Sequence, residues 1–273
     1  EFELSYMLNG VKQIVAGEHK TQNGILKFEN LPYRTYTLKE IKAPAGFVLD
    51  TEAKEFVVNG ETRHLTYEFK NTKEKINIDA EKVWELGSIV TKPIITFALE
   101  RSIDGNEFEP VLNSEKPVVE NAASWISLDK TNDAGAEYTY RVIELKPDGT
   151  KVNEGENLND NYVVKYDETG RIVTNTYVPT KISVSAQKVW HKGENFEKPT
   201  IKFQILRTTA ENPELSDFEA FGEAIKDVTT TNNVSEKVTW EELPETDNEG
   251  NLYTYQVVEF NEDETSFDHD NFD

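Results

Sequence analysis

Three polar side chains lie in phase with apolar residues on predicted strands, and their chemistry could produce a covalent cross-link. Side chains of a strand alternate between its two faces, so residues two apart share a face. On this criterion Lys82, Glu144 and Asn175 all point toward the apolar side of their strands. Their neighbours on the same face are Ile76, Ile78, Ala80 and Trp84 for the lysine, Tyr140 and Val142 for the glutamate, and Val173 and Tyr177 for the asparagine.

This inward-facing trio has two interpretations. The first is a buried Lys–Glu ion pair with the asparagine as hydrogen-bond partner, because an unpaired buried charge is costly. The second is covalent, because burial lowers the pKa of a lysine and raises that of a glutamate. A neutral amine is a nucleophile, and a protonated carboxyl can stabilise the oxyanion that develops on the asparagine carbonyl. Attack of Lys82 Nζ on Asn175 Cγ would release ammonia and leave an amide.

The trio recurs because the chain contains repeats. The second and third copies are close relatives, and a first copy is more distant. The matching stretches are Lys82–Trp84 with Lys188–Trp190, Lys92–Arg101 with Lys198–Arg207, Tyr138–Leu145 with Tyr253–Phe260, and, in the first copy, Phe28–Pro32 and Thr35–Glu40. The copies predict three domains, called here the first, second and third segments: residues 1–74, 75–178 and 179–273.

Every segment is predicted to be β, with little helix. Strand-like alternation occurs at Lys54–Val58, Thr66–Phe69, Lys75–Trp84, Thr200–Leu206 and Tyr253–Glu259, with turn signals between the strands. Several short strands per segment predict an all-β fold of tandem antiparallel β-sandwiches. The short linkers predict an elongated molecule.

The first and third segments each hold only part of the trio. Glu40 and Asn71 are the counterparts in the first segment, and Lys188 and Glu259 are those in the third. Alignment of the copies places the missing lysine before residue 1 and the missing asparagine beyond residue 273. We therefore expect a fragment in which the first segment lacks its first strand and the third lacks its last. The alternative is that another chain supplies these strands by edge pairing.

Composition argues against several classes of function. The chain has 29 Lys and Arg against 51 Asp and Glu, a formal charge of −22, which opposes binding to nucleic acid and to anionic lipid. The absence of Cys excludes disulfides and thiolate metal sites. The four His residues show no zinc-site spacing, and no apolar run is long enough for membrane insertion. We expect no cofactor, no metal and no enzymatic turnover.

Taken together, the motifs resemble a known family. The stretch FEL…GILKFENLPYRTYTLKEIKAPAGFVLD resembles the SpaA-like, prealbumin-like branch of the Cna B-type domains. The later combination of KVW, YxYxVxE and a terminal TNT resembles the collagen-adhesin B-type repeat itself. Such domains build stalks of Gram-positive surface adhesins and pilus shafts, and their fold is a β-sandwich of inverse immunoglobulin topology. Many of them form a spontaneous Lys–Asn isopeptide bond that an acidic residue assists.

The resemblance assigns roles to individual residues. It implies an isopeptide bond between Lys82 and Asn175, with Glu144 as the catalytic acid. The other expected members of such sites are Glu40 and Glu259 as catalytic acids, with Asn71 and Lys188 as parts of incomplete isopeptide sites.

The sequence therefore predicts a structural stalk or shaft segment of an extracellular, cell-wall-anchored adhesin or pilus, with the anchor outside this chain. The alternative is a module that binds a host extracellular-matrix protein or glycan. Neighbouring pilin or adhesin domains are the other candidate partners. A stalk is expected to find no ligand in a panel of matrix proteins and to show no large apolar patch.

Overall fold

The computed structural model describes residues 1–17, 19–61, 64–159, 161–191, 197–231, 233–261 and 265. In this part of the chain every regular element is a β-strand except one turn of 3₁₀ helix at Leu215–Asp217. The predicted all-β class is therefore confirmed. Across the same residues no helix has the length and apolar character that crossing a membrane would require.

The described residues form twenty strands, numbered here in chain order. Those of the first segment are β1 (Phe2–Leu8), β2 (Val11–Ile14), β3 (Arg34–Glu40) and β4 (Lys54–Val58). Those of the second are β5 (Lys75–Glu85), β6 (Thr96–Ser102), β7 (Glu109–Pro110), β8 (Lys116–Pro117), β9 (Ala122–Asp129), β10 (Thr139–Leu145), β11 (Asn157–Asn159), β12 (Tyr162–Tyr166) and β13 (Ile172–Tyr177). Those of the third are β14 (Lys181–Ala186), β15 (Ile201–Thr208), β16 (Glu219–Val228), β17 (Thr230–Thr231), β18 (Val234–Ser235), β19 (Val238–Pro244) and β20 (Thr254–Asn261).

The chain divides into two compact units. One consists of residues 1–80, 97–143 and 169–171, and the other consists of residues 81–96, 144–168 and 172–273. This division passes through the second segment, so β5 and β10 each contribute to both units. It differs from the predicted boundaries after residues 74 and 178, and the organisation into three domains stays a prediction.

The first unit contains an antiparallel sheet in the order β2-β1-β3-β4. Its core is built around Leu4 and Tyr36, which are 0% and 1% exposed, and Phe56 stacks on the Tyr36 ring at 5.7 Å. In the same unit β10, β6 and β7 lie side by side, and β8 pairs with β6. The inward face of β6 buries Phe97 and Leu99 almost completely.

The second unit positions the trio. Its strands β11, β12 and β13 are antiparallel neighbours, and β13 then runs parallel to β5. The remaining strands form the sheets β16-β15-β20, β14-β19 and β17-β18. Their core consists of Trp190, Ile201, Phe203, Ile205, Val228, Trp240 and Leu243.

One predicted strand is wrong. Residues 66–69 are not in a strand, although they alternate like their counterparts in β13. In the second segment that counterpart is held between β12 and β5. Among the described residues nothing pairs with residues 66–69 in this way, and alternation without a pairing partner does not make a strand.

Truncating a buried side chain of β6 should lower the free energy of unfolding far more than truncating an exposed side chain of the same segment. We expect Leu99→Ala to destabilise β6 by about 2–5 kcal/mol, because it leaves a cavity in a packed core. Leu112→Ala is the matched control, since Leu112 is 85% exposed and Leu99 is 1% exposed. This control should change stability by less than about 0.5 kcal/mol. Native-state hydrogen exchange of the β6 amides measures both effects, and equal effects would contradict the assignment of the core.

Candidate functional site

Lys82 and Asn175 project from the same face of two neighbouring parallel strands. In the register of β5 and β13, Val173 lies opposite Lys82 and Asn175 lies opposite Trp84. Asn175 is therefore two residues further along its strand than the partner of Lys82, which makes the two side chains diagonal neighbours. Glu144 approaches from β10, and its carboxylate contacts both side chains.

The three side chains are removed from solvent. The side chains of Lys82 and Glu144 are 0% exposed, and Asn175 as a residue is 0% exposed. Glu144 Oε1 accepts a hydrogen bond of 2.8 Å from Asn175 Nδ2. Lys82 Nζ lies 3.3 Å from Glu144 Oε2, and it donates a hydrogen bond of 3.2 Å to the Val173 carbonyl.

Burial shifts both titrating groups toward their neutral forms. Desolvation lowers the pKa of Lys82 from 10.5 to about 8, and the nearby Glu144 carboxylate opposes this shift only in part. Desolvation raises the pKa of Glu144, and the attraction of Lys82 and the hydrogen bond from Asn175 oppose it. The environment therefore favours an uncharged amine beside an uncharged acid more than water does.

Two buried polar atoms of the site, Asn175 Oδ1 and Glu144 Oε2, have no hydrogen bond among the described residues, although Lys82 Nζ lies 3.3 Å from Glu144 Oε2. Asn175 Oδ1 is buried and finds no donor among the described residues, and an unsatisfied buried carbonyl is costly. A half-turn of the amide about its last side-chain bond exchanges the oxygen and nitrogen without changing the shape. In that orientation a protonated Glu144 could donate a hydrogen bond to the carbonyl oxygen, which would activate its carbon for nucleophilic attack.

Neighbouring aromatic residues hold the site in place, and of these Tyr162 and Tyr166 were not predicted from the sequence. Tyr166 Oη accepts a hydrogen bond of 3.0 Å from the Glu144 backbone N–H and donates one of 2.6 Å to the Val152 carbonyl. The Trp84 ring centre lies 4.6 Å from Lys82 Nζ, and Tyr162 meets this ring edge-on at 5.0 Å. The sequence held only a weak signal for these two tyrosines, which is that they share a face of β12.

The first segment repeats half of this arrangement. Glu40 is 2% exposed, and its Oε1 accepts a hydrogen bond of 2.9 Å from Asn71 Nδ2. Its Oε2 accepts another of 2.9 Å from the Asp50 backbone N–H. The Glu–Asn contact thus matches that of the second segment without a lysine partner among the described residues.

The third segment repeats the other half. Lys188 Nζ donates to both carboxylate oxygens of Glu259 at 2.9 Å. The ring of Trp190 lies 4.3 Å from the same nitrogen, as Trp84 does for Lys82. Lys188 lies beyond the end of β14, and the Lys188 and Glu259 side chains are 15% and 14% exposed. This pair is therefore less completely buried than Lys82 and Glu144.

A metal centre is not part of this arrangement. In the part of the chain that the structure describes, no group of three or more His, Asp or Glu side chains is placed to hold a metal ion. The chemistry available at the site is that of an amine, a carboxylic acid and a carboxamide in contact. These groups can form an ion pair or condense to an amide.

The lowered pKa of Lys82 predicts a pH-dependent stability in a variant that cannot react. In Asn175→Ala the lysine keeps its amine, and we expect stability to rise with pH between about 8 and 10.5. In that window the unfolded lysine still binds a proton that the folded lysine has lost. Below about pH 8 the lysine is protonated in both states, so the pH dependence disappears while the cost of burying the charged amine remains in full.

Urea unfolding of Asn175→Ala at a series of pH values measures this slope. The matched control is Lys82→Met in the same background, which removes the titrating group and retains an apolar side chain. We expect the slope to be smaller in the control by about one proton. Identical slopes would mean that Lys82 titrates as it does in water.

Comparisons with known proteins add the family. Residues 1–73 match the model of the SpaA prealbumin-like fold domain, and residues 184–271 match that of the Cna protein B-type domain. The collagen adhesin of Staphylococcus aureus is 30% identical over 247 residues, which make up 87% of this chain and 19% of that protein. The chain thus spans about a fifth of this relative.

Two solved structures align over nearly the whole chain but superpose loosely. The Bacillus anthracis TIE protein gives a TM-score of 0.42 at 21% identity, covering 97% of this chain and 45% of that one. BcpA, the major pilin subunit of Bacillus cereus, gives a TM-score of 0.28 at 17% identity, covering 98% and 87%. At these scores neither carries weight beside the family matches, which confirm the resemblance seen in the sequence. The chain therefore carries a SpaA prealbumin-like domain at residues 1–73 and a Cna B-type domain at residues 184–271.

Proposed function

We propose that this chain is a structural stalk or shaft segment of a Gram-positive cell-surface adhesin or pilus, stabilised by an isopeptide bond between Lys82 and Asn175. One observation carries the proposal: an amine, an acid and a carboxamide meet with no exposure to water. A pair of this kind needs a reason to be buried, because well-packed apolar residues are often at least as stable as a buried ion pair. Formation of a covalent bond supplies that reason.

The reaction balances without any external reagent. The lone pair of Lys82 Nζ attacks Asn175 Cγ, while Glu144 donates its proton to the carbonyl oxygen. Glu144 then relays a proton from the amine nitrogen to the leaving Nδ2. The Cγ–Nδ2 bond breaks, ammonia departs, and Glu144 regains its proton as the carbonyl reforms. One amine and one carboxamide become one amide and one ammonia.

The bond would stabilise the second segment. It closes a loop of 93 residues (175 − 82 = 93), and by analogy with a disulfide the lost chain entropy contributes about 4–5 kcal/mol. An amide is not cleaved by reductants, and the sequence has no Cys to provide a disulfide.

The position of the bond also suits a load-bearing role. The chain enters the second segment through β5 and leaves it through β13. A pulling force would pass from Lys82 to Asn175 through the amide, so the residues between them would lie outside the covalent load path. A domain connected in this way cannot be extended by peeling its strands apart.

The proposal extends to the first and third segments and to the place of the protein at the cell surface. We infer three domains with the boundaries predicted from the sequence, and we assign Glu40 and Glu259 the role of Glu144. In this reading Asn71 and Lys188 each belong to a site whose remaining member is outside the described residues. The name of the S. aureus relative, a collagen adhesin, supports an extracellular position, with cell-wall anchoring through a part of the protein outside this chain.

The intact mass tests the cross-link. We expect the purified chain to be lighter than its sequence requires by the mass of one ammonia, because one complete trio, that of the second segment, is present among the described residues. Glu144→Ala removes the proton relay, so this variant should show the full sequence mass. Glu100→Ala is the matched control, since Glu100 is another buried glutamate of the second segment, 7% exposed. This control should keep the deficit, and a full mass in the unaltered chain would rule out the bond.

A binding module is the alternative, and the name of the S. aureus relative favours it. Among the described residues, the most exposed of the large apolar side chains are Ile94 and Leu112, at 91% and 85% exposure, and they lie in separate loops. We therefore expect no saturable binding of this chain to immobilised collagen, fibronectin, fibrinogen or a glycan array. Saturable binding that survives Glu144→Ala would favour the adhesin module over the stalk.

A further inference from the structure

The second and third segments share a short turn that the proposed cross-link does not use. It comprises Thr131–Gly135 in the second segment and Thr246–Gly250 in the third, and we call each a docking turn. Thr246 follows Thr131 by the same number of residues by which Tyr253 follows Tyr138, so the two turns occupy equivalent positions. Their shared residue pattern is a threonine, then Asn or Asp, then two variable residues and a glycine.

Both docking turns have the same internal structure. Asn132 Oδ1 accepts hydrogen bonds from the backbone N–H groups of Ala134 and Ala136. Asp247 Oδ1 likewise accepts from the N–H groups of Glu249, Gly250 and Asn251. The threonine of each turn is buried, at 2% exposure in the second segment and 8% in the third. A threonine in an uncovered hairpin loop would be accessible to solvent. The burial of these two threonines therefore indicates that another part of the chain packs against each turn.

The docking turn of the second segment is covered by the first segment, within the first unit. A Cβ built on Gly135 would lie 2.8 Å from the Ala45 Cβ and 2.9 Å from the Ala45 carbonyl oxygen. A Cβ built on Gly46 would lie 2.0 Å from Thr131 Oγ1. The two backbones therefore approach so closely that only glycine fits on either side.

Hydrogen bonds extend this contact through the linker. The Glu74 N–H donates to the Gly46 carbonyl at 2.8 Å, and the Lys130 N–H donates to the Glu74 carbonyl at 3.0 Å. Lys73 also pairs with Asp133. Exposed ion pairs contribute little, so the backbone bonds and the glycine contacts account for most of the attachment.

The docking turn of the third segment is covered by the second segment, within the second unit. The Gly87 N–H donates to the Asn248 carbonyl at 2.7 Å, and the Ile89 N–H donates to the Glu249 carbonyl at 3.2 Å. A Cβ built on Gly250 would lie 2.4 Å from Val90 Cγ2. The same glycine thus permits close approach at both junctions.

This second contact also reaches the strand that carries Asn175. Tyr177 lies two residues further along β13, and its hydroxyl forms a buried hydrogen bond of 2.8 Å with Thr246 Oγ1. Tyr177 and Thr246 are 4% and 8% exposed. Tyr177, two residues after the asparagine of the proposed cross-link, is therefore hydrogen-bonded directly to the third segment.

We propose that the docking turn is the surface by which each segment attaches to the segment before it. Its partner is the end of the preceding β-domain. Beside the linker, that end presents a glycine or small side chains, and backbone N–H and C=O groups that form hydrogen bonds across the junction. The first segment passes from Pro32 to Thr35 without such a turn, so it has no surface of this kind. The proposal rests on the division into segments and does not depend on the isopeptide bond.

Glycine substitutions in the full chain test the proposal. Gly135→Ala should speed exchange of the Glu74 and Lys130 amides by about tenfold or more, because the new methyl group separates the two backbones. Gly250→Ala should do the same for the amides of Gly87 and Ile89.

Gly149→Ala is the matched control for these substitutions. Gly149 has the same positive φ of 84° as Gly135, but a Cβ built on it meets nothing within 4 Å. We expect no change at either junction in this control, which carries the same backbone strain. If Gly135→Ala and Gly250→Ala accelerate exchange only inside their own turns, the proposal is wrong.

A second pair of variants leaves the backbone unstrained. Thr246→Val and Tyr177→Phe each remove one hydroxyl of the buried bond at the second junction. Each should speed exchange of the Gly87 amide, and the double variant should exceed neither single variant, since both remove the same bond. Additive effects, or no effect at Gly87, would show that this bond does not hold the junction.

Discussion

The cost of burying the amine of Lys82 is the constraint on which the centre of this protein depends. A charged lysine with no exposed surface is tolerated only beside a partner, and Glu144 is that partner. The same burial lowers the pKa of the amine, and Asn175 Oδ1 finds no donor among the described residues. The proposed condensation would remove the cost of burying the amine, because an amide nitrogen carries no charge. Strands β5, β10 and β13 already hold the three groups in contact.

The three segments share one arrangement of polar side chains, with all three groups present in the second segment and two of them in the first and third. The Glu40–Asn71 contact and the Lys188–Glu259 contact each reproduce one side of the trio in the second segment. A Trp lies over the lysine in both segments that have one. Neither partial pair is accompanied by a third reactive group among the described residues. Among the described residues, the three groups that the proposed chemistry needs meet in the second segment.

Strand periodicity predicted the all-β class and the inward direction of Lys82, Glu144 and Asn175, because alternation is fixed by the covalent geometry of a strand. It failed at residues 66–69, where a strand also needs a neighbour with which to pair. It did not find Tyr166, whose contact with Glu144 joins elements that are distant in sequence. The role of the docking turns was not predicted from the sequence, since it depends on the surface of the preceding segment. Pattern thus predicts which face a residue occupies, and pairing decides what it contacts.

Peptide mapping of the fully unfolded, protease-digested chain tests the central claim most directly. The account predicts a branched peptide in which Lys82 is joined to Asn175, with a mass equal to that of its two linear parts less one ammonia. It also predicts no tryptic cleavage after Lys82, whose amine is no longer a cation. Recovery of both residues in separate, unmodified linear peptides would contradict the account, whatever the distance between the side chains in the folded protein.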